Sequence, residues 1–134
     1  MGKIPTEQMK KAYHELINTD KDIVKFGKNK EHVLVYEYNV NYDEEKIYYL
    51  HYGVIVGIIK YNKAKDEYEI KLTNNGYSNT DRDNFNGLLY CEELYDRFKC
   101  YRRNESLFLS IDNVKYGCWY VGYNPTTSDI TIFN

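Results

Sequence analysis

The chain has 134 residues, 18 basic and 20 acidic, with a formal net charge of −2. That length supports one domain around a single core. The near-balanced charge excludes both a global field that would attract nucleic acid or anionic membrane and the large acidic excess of a DNA mimic.

No apolar run reaches the roughly 18 residues that a membrane span needs. The stretch Val54-Ile55-Val56-Gly57-Ile58-Ile59 is closed off by Lys60. The opening Met1-Gly2-Lys3-Ile4-Pro5 matches neither a signal peptide nor a myristoylation context. Three cysteines, an odd number, point to reduced thiols in a cytosol.

In chain order, Pro5 to Ile17 reads as a helix. Met9, Ala12, Tyr13, Leu16 and Ile17 share a face, and Thr6 is the expected cap. Residues 18–30, rich in lysine, read as a polar connection or a short helical turn. Strands are expected at 33–38, 47–52, 54–61 and 67–72. In the last of these Tyr68, Ile70 and Leu72 alternate with Glu67, Glu69 and Lys71. After the Asn74-Asn75-Gly76 turn, a second helix is expected over residues 80–101, with Thr80 as cap and Asp81 and Asp83 in the first turn. Three short strands, at 107–111, 116–121 and 130–133, close the chain. Short turns between neighbouring strands imply antiparallel pairing. The expected fold is therefore a single α+β domain over residues 1–134: a mainly antiparallel sheet of six or seven strands with two helices packed on it.

Chemistry is hard to find. Cys91 and Cys100 read as helix residues without a glycine-rich elbow, and Ser106 and Ser110 have no His nearby in sequence. Asp81-Arg82-Asp83 and Asp43-Glu44-Glu45 read as a helix N-terminus and a solvated turn. His14, His32 and His51 are scattered, and no Cys-x-x-Cys pair occurs. No enzyme, metal site or cofactor is expected.

Two surface features remain. Arg97, Lys99, Arg102 and Arg103, beside Tyr95, Phe98 and Tyr101, would form a basic-aromatic helix end suited to weak nucleic-acid binding. The sequence also holds 16 tyrosines, more than one core should hide. Tyrosine is favoured at binding surfaces because its apolar ring ends in a polar tip. Tyr36, Tyr38, Tyr48, Tyr49, Tyr116, Tyr120 and Tyr123 fall on expected strands at alternating and consecutive positions, so some must leave the core face.

From Tyr52-Gly53-Val54-Ile55-Val56, through a hairpin, to Gly76-Tyr77-Ser78-Asn79-Thr80 and Phe85-Asn86, the chain resembles a group of short uncharacterised proteins carried by phages and plasmids. In those proteins a Tyr-Gly strand leads through a hairpin to a Tyr-Ser-x-Thr-Thr turn and a helix opening with His-Ile-Asn. Here Asp81 replaces the second Thr and Asn84 the His. The resemblance covers about residues 48–90. It implies a mobile-element origin and carries over no residue roles. Small proteins of such elements often bind a host protein, so the expected function is an inhibitor of a bacterial defence or regulatory factor, of the anti-CRISPR kind, acting in the host cytoplasm.

Overall fold

The computed structural model describes residues 7–133. Helix α1 (Glu7–Asn18) buries Met9, Ala12 and Leu16, while Ile17 at the edge of the expected stripe is exposed. The expected Thr6 cap lies outside the described residues. Five strands come next: β1 (Ile23–Phe26), β2 (His32–Asn39), β3 (Glu44–His51), β4 (Val54–Asn62) and β5 (Glu67–Leu72). Each of the first four pairs antiparallel with its successor. Strand β1 lies where the sequence predicts a polar connection. Its alternation, Val24 and Phe26 inward against Ile23 and Lys25, lasts only four residues among flanking lysines.

Helix α2 (Asn79–Cys91) is capped two residues earlier than expected, by Ser78, whose side chain accepts the Asp81 N–H at 3.0 Å. It also ends ten residues before the expected 101. Glu93 takes a left-handed conformation (φ 62°), Leu94 N–H donates to Leu89 C=O at 2.8 Å and Glu93 N–H to Tyr90 C=O at 3.0 Å. Those two bonds form a Schellman stop, with Leu94 and Leu89 both buried as its apolar contact. The motif normally announces itself by glycine, and a Glu in that position conceals it.

Beyond this stop the chain builds a three-stranded antiparallel sheet of β6 (Phe98–Arg103), β7 (Ser106–Ile111) and β8 (Val114–Cys118). It then crosses at Trp119, whose carbonyl accepts from Leu72 N–H at 2.8 Å. It returns as β9 (Tyr120–Asn124) beside β5, and β10 (Asp129–Ile132) forms the edge. The main sheet thus runs β1-β2-β3-β4-β5-β9-β10. The architecture is α+β, built mainly of antiparallel sheet, as the sequence implies.

The two helices and the small sheet share one core with one face of the main sheet. Helix α2 approaches β4 at Gly57, where a Cβ would lie 2.4 Å from the Phe85 ring. The glycine therefore sets how close helix and sheet can come. On the opposite face Val35, Lys46, Tyr48, Ile58, Lys60, Lys71 and Tyr120 stay at least partly exposed, and no described element covers them.

Gly57→Ala should therefore lower stability by about 1–3 kcal/mol, the usual range for overpacking. Adding Phe85→Leu in that background should recover part of the loss, as a urea-denaturation double-mutant cycle would measure. Simple additivity of the two changes would contradict the packing described.

Candidate functional site

The structure disperses the expected basic helix end. Arg97 precedes β6 and holds Asp112 through two 2.8 Å hydrogen bonds. Lys99 donates to Asn113 at 3.0 Å, Arg102 donates to the Tyr77 carbonyl at 2.6 Å, and the Arg103 guanidinium lies over the Tyr101 ring. The segment is strand β6 and its approach, not a helix end, and a strand places alternate residues on opposite faces, so Arg102 parts from Lys99 and Arg103.

The seven tyrosines divide as well. Tyr49 is fully buried in the core and cannot contact a partner directly. Tyr36 and Tyr123 pack against the core from its margin. Tyr38 is exposed and donates to Asp43, and Tyr116 is exposed on the small sheet. Tyr48 and Tyr120 stand together on the open face of the main sheet. They line a shallow hollow of about 150 Å³ with Lys46, Ile58, Lys60, Glu69 and Lys71. Lys46 and Lys60 are direct cross-strand partners, an arrangement that destabilises a sheet. Glu44 and Glu69 pair with Lys60, at 3.6 and 3.2 Å. Among the described residues Lys46 and Lys71 carry no ion pair, and Lys71 lies over the Tyr120 ring.

A second site lies on the covered face, at the end of the β2–β3 hairpin. His32 and His51 are cross-strand partners, and their rings stack with centroids 4.2 Å apart. Asp81, from the first turn of α2, is 1 % exposed and reaches His51 Nδ1 at 2.7 Å. The Tyr49 hydroxyl lies 2.9 Å from His32 Nδ1, 3.3 Å from Asp81 Oδ1 and 3.0 Å from the Asn84 amide nitrogen. Gln8 of α1 donates to the Asn84 carbonyl oxygen at 3.2 Å, which fixes the Asn84 amide to donate. One proton assignment then uses every contact. His32 Nδ1–H and Asn84 donate to the Tyr49 oxygen, Tyr49 O–H donates to Asp81, and His51 Nδ1–H donates to Asp81. In the neutral rings this assignment puts the proton on Nδ1 and leaves Nε2 as the lone-pair nitrogen.

Glu31 completes the cluster. Its carboxylate accepts from Asn29 N–H at 3.1 Å, and backbone donors hold it below the usual carboxylate range. Burial, then the neighbouring His51, holds the His32 imidazole below its ordinary value. Burial pushes the Tyr49 phenol up, so it keeps its proton. Tyr52 stacks on the outer side of His51 at 4.6 Å, with the left-handed φ of 50° that a bulky residue rarely adopts.

Two of the three scattered histidines, His32 and His51, and the helix-start aspartate Asp81 thus meet at one place. Folding the hairpin about its turn at residues 40–43 pairs position 32 with 51, a signal that linear spacing rules do not register. No family model, curated protein or solved structure matches the chain.

Tyr49→Phe removes the hydroxyl that His32, Asn84 and Asp81 share, and should lower stability by about 1–3 kcal/mol. Tyr48→Phe, one residue away on the open face, should change it by less than about 0.5 kcal/mol. Equal urea midpoints for the two variants would contradict the network.

The thiols offer a second check. Burial pushes Cys91 up to about 11 and raises Cys100 and Cys118 as well. The thiolate is the reactive form, so at pH 7.5 Ellman's reagent should react slowly with Cys91, and with Cys100 and Cys118 only after unfolding. Fast reaction of all three in the native chain would contradict the burial.

Proposed function

We propose that the chain is a non-enzymatic protein-binding module of a phage or other mobile element, that it inhibits a bacterial host defence or regulatory protein, and that it docks through the open face of the main sheet. The observation that carries this reading is the direct opposition of Lys46 and Lys60 in a hollow flanked by Tyr48 and Tyr120. Glu44 and Glu69 already offset Lys60, whereas Lys46 and Lys71 stay without an ion pair among the described residues and present their charge to an acidic patch on a partner. The tyrosine rings and Ile58 supply apolar contact beside the cations, and tyrosine is among the residues enriched in interface hot spots. The mobile-element origin rests on the resemblance at residues 48–90. An inhibitory role fits a small binder, which acts by occupying a surface that its target needs.

The test is affinity capture from a bacterial host lysate, with captured proteins identified by cross-linking. Lys46→Glu with Lys71→Glu, and separately Tyr48→Ala, should weaken capture at least about tenfold. Arg102→Glu with Arg103→Glu should leave it unchanged. Capture insensitive to the open-face variants, or no capture above background, would contradict the reading. Binding of a single-stranded oligonucleotide that falls steeply with salt and disappears in the Arg102/Arg103 variant would replace it with the nucleic-acid alternative.

A further inference from the structure

We propose that Glu31, His32 and His51 form a binding site for one transition-metal dication of the zinc class, with Asp81 and Tyr49 holding the two imidazoles in the ligating tautomer. Each of the three residues brings a ligand atom within 4.8 Å of the others. His32 and His51 are register partners in the β2–β3 hairpin, so backbone pairing sets the two residues opposite one another, with their rings stacked at 27°. Asp81 and Tyr49 engage Nδ1 of His51 and His32, which leaves Nε2 of each ring as a lone-pair donor. A ring held through its second nitrogen by a carboxylate or another polar group is the usual support for a metal-bound histidine.

Glu31 stands on the correct edge of this pair. A Cβ built on Gly27 would lie 2.6 Å from Glu31 Oε1 and 2.7 Å from His32 Cδ2. The carboxylate therefore lies on the Cδ2–Nε2 side of His32, away from Tyr49. Gly27, at φ 96°, wraps the loop around this edge without placing a side chain in it. The His51 side chain is 19 % exposed, so a cation has a route from solvent.

Two imidazole nitrogens and one carboxylate oxygen suit zinc, cobalt or nickel. Calcium and magnesium demand oxygen-rich shells. Three protein ligands would leave a fourth position to water. The site lies on the covered face and stands independently of the docking reading, so either can fail alone.

The test is calorimetric titration of the EDTA-treated chain with zinc chloride at pH 7.5, with the visible spectrum of the cobalt form as a check on coordination. One equivalent of zinc should bind. Asp81→Asn should bind about 10–100-fold more weakly, and His51→Gln and Glu31→Gln should lose binding. His14→Gln and Cys91→Ser should bind like the parent chain. Glu31 lies at the partly exposed rim, so Glu31→Gln reports on the site even if His51→Gln unfolds. A parent chain that takes up no zinc, or Glu31→Gln and His51→Gln variants that bind as it does, would overturn the proposal.

Discussion

Asp81 is a carboxyl group 1 % exposed to solvent, and a buried acceptor is stable only if donors reach it. Its donors come from two segments. Tyr77 N–H, just before α2, approaches one oxygen at 3.4 Å, while Tyr49 O–H and His51 Nδ1–H from β3 reach the other. The first turn of α2 is thereby tied to the β2–β3 hairpin. Asn84, one turn further along, extends the tie through Gln8 to α1. The polar network orients both helices over the sheet, in addition to the apolar core that holds them there.

The apolar half of the same constraint is Phe85 on Gly57. A side chain at position 57 would lift α2 from the sheet and pull Asp81 away from its partners. Because both helices and the small sheet are drawn to this one face, the opposite face keeps its lysines, tyrosines and isoleucine open. The same docking therefore creates the covered His-Asp-Tyr cluster and leaves the open surface through which binding is proposed.

The α+β class and the second hairpin were legible because their signals are local. Tyr68, Ile70 and Leu72 alternate with charges, and short turns separate the runs. The end of α2 was not legible, since Glu93 occupies a left-handed position usually marked by glycine. Apolar and basic residues then continue a helical spacing that in fact belongs to β6. Tyr49 was misplaced because Tyr48 and Tyr49 are chemically identical, and only sheet register decides which one faces inward. The histidine cluster is a long-range feature. His32 stands 17 residues from Tyr49, and His51 stands 30 residues from Asp81. Strand β3 and helix α2 bring them together only once the sheet and helix dock.

The claim on which the covered site depends is that Asp81 and Tyr49 hold both imidazoles with the proton on Nδ1. A long-range proton–nitrogen correlation spectrum of the histidine rings at pH 7.5 tests it directly. His32 and His51 should each show a protonated Nδ1 and a bare Nε2, and Asp81→Asn should disturb the pattern. A proton on Nε2 of either ring in the parent chain would contradict it.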